Sequence, residues 1–222
     1  MLFNDTDRAR IGEAIAAAES QTAGEIVVIV STAPHRYPAT SLSVAALLGF
    51  ALPLLALQFG WSPAALFADW DEAARATNTR HVLEGFVALQ ALIFVVVLGL
   101  VQYTSLGQRL TPSGLRRDRV HRAALTQFKA RGLEQTVGRT GVLIYIDEPE
   151  HIAEIIADTA IFAKVPHDHW GNTITALTSG IKAGKAGDGV VAAVGLAGAV
   201  LAQHFPQLAD DTNELADHLI EI

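Results

Sequence analysis

The sequence predicts an α/β domain, a small sheet flanked by helices, that is interrupted by a two-helix transmembrane hairpin. Two β-branched runs, residues 24–30 and 141–146, predict buried strands. Two long runs without charged side chains lie between those strands, within residues 37–68 and 85–108. Most of the remaining chain carries apolar residues at helical spacing, so helices and strands alternate as they do in α/β folds.

Composition narrows the classes of function. The 222-residue chain has a net charge of −7, so it lacks the overall basic character that nucleic-acid binding requires. It contains no cysteine, which excludes a disulfide framework, a cysteine zinc site and a thiol nucleophile. The first eight residues lack the basic and then apolar pattern of a cleaved signal peptide, so we expect any membrane insertion to use internal segments.

The two uncharged runs predict transmembrane helices at about residues 41–61 and 83–103, within a hairpin of residues 37–103. A helix needs roughly 20 apolar residues to cross a hydrocarbon core about 30 Å thick. Lipid tolerates a proline such as Pro53, and Tyr103 lies where an interfacial aromatic residue would. The alternative is a pair of helices buried in a soluble core, but such helices usually keep one polar face.

Basic residues predict the orientation of this hairpin. Only Arg75 and Arg80, set among acids, occur in the loop of residues 62–84. The stretch after the second helix contains Arg109, Arg116, Arg117, Arg119, Arg122, Lys129 and Arg131. Because Lys and Arg resist translocation, we expect a multi-pass membrane protein with an extracytoplasmic loop and a cytoplasmic soluble domain. The basic stretch could also rest on anionic lipid, and topology control alone is the competing explanation.

Residues 1–36 and 104–222 are predicted to form one split domain. One expected helix begins near Asp5, and three more cover residues 114–131, 166–183 and 189–204. A third strand is expected at residues 152–157. The apolar run 190–201 is too short to span a membrane, which favours a buried core helix.

Three segments carry candidate functional residues. His167, Asp168 and His169 could ligate a divalent metal, although acids at a helix start are also explained by the helix dipole. Asp147 and Asp158 follow strands, where α/β folds often place functional groups and where turns also use carboxylates. The glycine-rich segment 182–189 resembles a phosphate-binding loop. It lacks the preceding strand and the following Ser or Thr, which favours a helix–helix turn with Asp188 as N-cap.

Residues 18–28, with the sequence Ala-Glu-Ser-Gln-Thr-Ala-Gly-Glu-Ile-Val-Val, resemble the opening of the TPM domain. The resemblance continues through residues 139–144 and 154–158 and the spaced Trp170, Gly184 and Gly189, so it covers the soluble portion. It matches the bacterial inner-membrane branch, in which a transmembrane hairpin divides the domain after its first strand. The family motif then includes Glu19, Thr22, Gly24 and Glu25.

What this resemblance implies about activity is an analogy. Related plant thylakoid-lumen proteins are linked to acid phosphatase activity, metal binding and photosystem II repair. Asp158 and Asp168 match acidic positions, and His167 and His169 are further candidate ligands for calcium or magnesium. Residues 158–161 replace a Gly-Tyr-Gly-like loop of the relatives, which removes the close backbone approach that glycine allows. Many relatives also keep the domain outside the cytoplasm, unlike the orientation expected here.

The function expected from the sequence is that of a membrane-anchored protein-binding or assembly module at the cytoplasmic membrane face. Its expected partners are the lipid bilayer and another membrane or membrane-associated protein. A metal-dependent phosphatase is the alternative. The sequence contains no nucleophile elbow and no zincin motif, which favours the binding module.

Overall fold

The computed structural model describes residues 2–61, 79–136, 138–165, 169–207, 215 and 217–222. The chain divides into two units. The first contains Met1–Pro34 and Gly114–Ile222, and the second contains His35–Ser113. The sequence analysis placed the boundaries at residues 36 and 104, two residues after the first division and ten before the second.

A four-stranded mixed sheet forms the centre of the first unit. Its strands are β1 (Glu25–Ser31), β2 (Gly141–Asp147), β3 (Ile152–Ala157) and β4 (Ile220–Glu221), arranged in the order β3-β2-β1-β4. β1 runs parallel to β2 and β4, whereas β3 is antiparallel to β2. β1 and β2 pair along their whole length and are buried throughout, as their β-branched sequences predict. The predicted mixed α/β class is confirmed, although β4 was not predicted.

Eight helices are described. They are α1 (Asp5–Glu19), α2 (Pro38–Gln58), α3 (Thr79–Tyr103), α4 (Leu106–Leu110), α5 (Ser113–Ala130), α6 (Thr159–Lys164), α7 (Trp170–Lys182) and α8 (Ala186–His204). The short helix α6 was not predicted. The helix predicted over residues 166–183 is seen as α7, and the start of that prediction, residues 166–168, lies outside the described residues.

Helices pack on both faces of the sheet because strand side chains alternate between its two faces. Val28 and Ile144 belong to one apolar core, which also contains residues of α1, α6, α7 and α8. Ile29 and Tyr145 belong to a second core with residues of α5 and a 3₁₀ turn at Leu133–Gln135. The first unit is therefore a helix–sheet–helix sandwich.

Glycines allow α7 and α8 to cross closely. A Cβ at Gly180 would lie 2.7 Å from the Gly189 nitrogen, and Gly184 has a φ of +72° in the turn between the helices. The prediction of a turn here is confirmed, but Asp188 is not the N-cap. α8 begins earlier, at Ala186, so Asp188 lies in its first turn and forms an ion pair with Arg10 at 2.7 Å.

The second unit contains the antiparallel helices α2 and α3, followed by the short helix α4. The Arg36 guanidinium, just before α2, lies 6.0 Å from the ring of Tyr103 at the end of α3. The buried residues of α2 are small or compact and recur at every fourth position: Ser41, Ala45, Gly49 and Pro53. A Cβ at Gly49 would lie 3.4 Å from the Cβ of Phe94, so this stripe faces α3. Large apolar side chains point away from the pair, including Leu47, Phe50, Leu92 and Val95, each more than 60% exposed.

Three described helices are long and apolar enough to cross a membrane: Pro38–Gln58, Leu83–Tyr103 and Ala186–His204. The second has the bounds of the predicted span 83–103, whereas the first begins and ends three residues before the predicted span 41–61. The third, α8, extends beyond the apolar run 190–201, so the expectation that this segment is too short to span a membrane was wrong. It nevertheless places Val190, Ala197 and Leu201 in the core of the first unit. Most of the predicted extracytoplasmic loop of residues 62–84 lies outside the described residues.

Candidate functional site

The predicted metal ligands are only partly described. Asp158 follows β3 and caps α6, where its Oδ1 accepts hydrogen bonds from the backbone nitrogen and the hydroxyl of Thr159. Its side chain is buried, and Oδ2 has no hydrogen-bond partner among the described residues. His169 is exposed just before α7, whereas His167 and Asp168 lie outside the described residues. Within the described part of the chain, no three acidic or histidine side chains converge as a metal site would require.

Asp147 and Asp158 lie at opposite ends of the sheet. β2 and β3 are antiparallel, so Asp147 pairs with Ile152 at one end while Asp158 donates its N–H to the Gly141 carbonyl at the other, at 2.9 Å. The sequence placed both acids after strands, but the two carboxylates cannot contribute to one site. Asp147 instead accepts the N–H of Glu150 within the tight β2–β3 turn, at 3.1 Å.

The motif residues come together where β1 begins. Thr22 donates its hydroxyl to the Phe205 carbonyl at 2.6 Å and accepts the N–H of Gly24 at 3.1 Å. A Cβ at Gly24 would lie 3.2 Å from the Thr140 carbonyl, so glycine permits a close approach of two backbone segments. Glu19 also accepts a hydrogen bond from β1. Three of the four predicted motif positions, Glu19, Thr22 and Gly24, thus have structural roles where the chain enters β1.

Glu19 satisfies a backbone group that the sheet leaves open. β4 pairs with β1 only at Ile29 and Val30, so the beginning of β1 has no strand on that side in the described structure. Glu19 Oε1 accepts the N–H of Ile26 there, at 2.7 Å. A carboxylate from the end of α1 therefore replaces a missing strand partner.

Glu19, Glu25 and Asp217 line a cavity of about 180 Å³ beside the start of β1. Burial, together with the nearby carboxylates of Glu25 and Asp217, raises the pKa of Glu19 to about 8 against the lowering effect of the Ile26 N–H. A pKa of about 8 favours the protonated form of Glu19 at neutral pH. Asp217 was not predicted, because only the return of the C-terminal segment to β1 brings it here.

A larger cavity, about 620 Å³, lies where the β2–β3 turn meets α7. Its apolar lining comprises Leu2, Ile146, Ile152, Ala153 and Ile181. Its polar lining comprises Asp147, Glu148, His151, Thr178 and Lys182. An apolar cleft with a few polar groups is the usual form of a binding pocket. The sequence analysis missed this cavity, since it depends on which helix packs beside β3.

β3 is an edge strand with outward-facing backbone groups. In an antiparallel pair, opposed residues alternate between those that exchange hydrogen bonds and those whose N–H and C=O groups point away. The bond from Asp158 to Gly141 continues the β2–β3 register. The backbone groups of Ile156 and Glu154 therefore bond to β2, whereas the N–H and C=O groups of Ile155 and Ala153 point away from it. No described strand lies beyond β3. Because Ala153 also lines the larger cavity, the open edge and the cavity form one continuous surface.

No family model matches the chain, and no curated protein matches it. Among solved structures, the chain is similar to the NMR structure of the BA42 protein from the psychrophilic bacterium Bizionia argentinensis. The TM-score is 0.57 at 19% sequence identity, and the similarity covers 99% of this chain and 95% of that one. At this identity, the similarity shows a shared fold.

Proposed function

We propose that this is an integral membrane protein whose α/β domain binds an extended segment of a partner protein at the cytoplasmic membrane face. The binding role is carried by one observation, the open edge of β3 beside the 620 Å³ cavity. A polypeptide can add to an exposed edge strand through main-chain hydrogen bonds and place alternate side chains in an adjacent pocket. In this proposal, the binding surface of the predicted protein-binding or assembly module is the edge of β3 together with the adjacent cavity.

The membrane anchor in this proposal is the pair α2 and α3. Soluble helix pairs bury long aliphatic side chains, whereas this pair buries small ones and exposes leucine, valine and phenylalanine. Membrane helices pack in this way because lipid solvates large apolar side chains while small residues let the backbones approach. The 21 residues of α2 extend about 31 Å at 1.5 Å per residue, which matches a hydrocarbon core about 30 Å thick.

The cytoplasmic orientation is supported by charge. Seven basic residues occur between Arg109 and Arg131, whereas residues 62–84 contain two, set among acids. A topology reporter fused at Asn78, which lies outside the described residues, is expected to report an extracytoplasmic position. A cytoplasmic signal from that reporter would contradict the proposed orientation.

Strand addition predicts that proline at an outward-facing position of β3 reduces partner binding. Ala153→Pro removes an outward N–H and leaves the bonds to β2 in place, so the sheet is expected to survive. A photoreactive benzophenone side chain at Ile155 of the full chain, expressed in cells, is expected to crosslink to another polypeptide. Ala153→Pro is expected to lower that crosslinking about fivefold, the effect of losing one main-chain hydrogen bond worth about 1 kcal/mol.

The matched control places the same benzophenone at Gln135, an exposed residue on the other face of the sheet, where no crosslink is expected. Thermal unfolding of the purified Ala153→Pro variant checks that it remains folded. Crosslinking at Ile155 that persists at full strength in a folded Ala153→Pro variant would exclude strand addition.

The alternative function, a metal-dependent phosphatase, is favoured by one observation, the buried Asp158 oxygen without a partner among the described residues. Carboxylate oxygens are the ligands that calcium and magnesium prefer. Hydrolysis of a phosphate ester that requires a divalent ion and disappears with Asp158→Ala would support this alternative over a binding module.

A further inference from the structure

The outer face of α5 carries a stripe of basic residues. The buried side of this helix is defined by Val120, Ala124 and Phe128, spaced four residues apart. At 100° per residue, Arg122 and Lys129 lie on the opposite side, and both are exposed. The stripe is therefore directed away from the sheet against which α5 packs.

These exposed cations are not used to hold the fold together. Other residues of α5 contact acids of the β2–β3 hairpin: Arg116 forms an ion pair with Glu150 at 3.3 Å, and His121 Nδ1 forms a hydrogen bond with Glu154 at 2.9 Å. Arg122 and Lys129 make no ion pair with any residue in the described part of the chain. The single acid of α5, Asp118, lies on the same side of the helix, four residues before Arg122, and is outnumbered there by Arg122 and Lys129. A chain with a net charge of −7 thus keeps a locally positive, solvent-facing surface.

Leu115 adds an apolar element to this face. It lies in the first turn of α5, on the same side as Arg122, and is 54% exposed. Exposed leucine together with arginine and lysine on one helix face is typical of helices that lie at a lipid interface.

We propose that the outer face of α5, formed by Leu115, Arg122, Thr126 and Lys129, binds the anionic phospholipid headgroups of the cytoplasmic leaflet. The positive stripe complements the negative surface potential of that leaflet, and each Lys or Arg near such a surface strengthens attachment. The inference rests on the proposed membrane anchor but adds a lipid-specific contact. The basic residues then do more than set topology, because they also hold the soluble domain at the bilayer.

The chain contains no cysteine, so a single introduced cysteine can report on this face in the full protein. Thr126→Cys, labelled with an environment-sensitive fluorophore, is compared in phosphatidylcholine nanodiscs with and without about one-third phosphatidylglycerol. We expect a blue shift and protection from an aqueous quencher only in the anionic discs. About 0.5 M salt should reverse both, because it screens charges beyond a few ångströms. A label at Gln135, exposed but off the stripe, should not respond.

The double variant Arg122→Glu with Lys129→Glu is expected to reduce the quencher protection in anionic discs at least tenfold. A matched reversal of two exposed charges elsewhere, Arg139→Glu with Lys185→Glu, should leave it unchanged. Equal label responses in neutral and anionic discs, or a response that survives the double reversal on α5, would overturn lipid binding by this face. A chain that does not co-migrate with the discs would overturn the anchor as well, so the two failures are distinguishable.

Discussion

Replacing Gly49 with leucine is expected to separate α2 from α3 and to destabilise the protein by about 2–3 kcal/mol. A Cβ at this position would already lie 3.4 Å from the Cβ of Phe94 and 3.5 Å from the Gln90 carbonyl. The rest of a leucine side chain has no space unless one helix moves. In the proposed membrane anchor, helices gain stability from close packing rather than from the hydrophobic effect, so the lost contacts would not be replaced.

The matched control is Gly99→Leu in α3, where a Cβ would meet no atom within 4 Å. Both variants add the same side chain to an apolar helix, so only the packing differs. Thermal unfolding of the detergent-solubilised protein, followed by size-exclusion chromatography, should show a decrease in Tm of roughly 5–10 °C for Gly49→Leu. Little change is expected for Gly99→Leu. If the two variants unfolded at the same temperature, the close contact between the helices would be disproved.

Replacing Glu19 with glutamine is expected to remove a pH dependence of stability. Folded Glu19 keeps its proton up to a pH of about 8, whereas in the unfolded chain a glutamic acid loses it near 4.5. Between these values the folded state binds more protons than the unfolded state, so stability falls as the pH rises. Below pH 4.5 both states are protonated and no penalty exists. Glutamine cannot ionise, and its oxygen still accepts the N–H of Ile26.

We therefore expect the wild type to lose about 2 kcal/mol of unfolding free energy between pH 5 and pH 9 relative to Glu19→Gln, after allowance for solvent screening. Unfolding temperatures at pH 5, 7 and 9 measure this difference. Glu13→Gln removes an exposed carboxylate from the same helix and serves as the control for general charge effects. If the unfolding temperatures of the wild type and Glu19→Gln changed equally with pH, Glu19 would not carry the proton at neutral pH.

Much of the fold could be predicted from local sequence pattern. The runs of Val and Ile in β1 and β2 predict strands because they can be buried on both faces, and residues 152–157 were predicted with the bounds of β3. β4 could not be predicted in this way, because two residues carry no periodicity. It is a strand only because the end of the chain returns to pair with Val30.

The sites depend more strongly on topology. Glu19, Thr22 and Gly24 were selected through a family resemblance, and the structure gives them physical roles at the entry to β1. The open edge of β3 could not be predicted from the strand itself, because strand order is set by packing across the whole unit. Sequence position also placed Asp147 and Asp158 after strands, but only the antiparallel register shows that they are at opposite ends of the sheet.

The pairing of β1 with β2 constrains how the protein is made. In the proposed topology, β1 leaves the ribosome before either membrane helix, and its partner follows only after both. At a synthesis rate of about 5–20 residues per second, the strand waits on the order of 10 s with an apolar, β-prone surface uncovered. Successful insertion of the hairpin thus becomes a checkpoint for the soluble domain. A chain whose hairpin fails to insert would keep an incomplete sheet and would be exposed to proteases and chaperones. Folding of the soluble domain would then depend on insertion of the hairpin into the membrane.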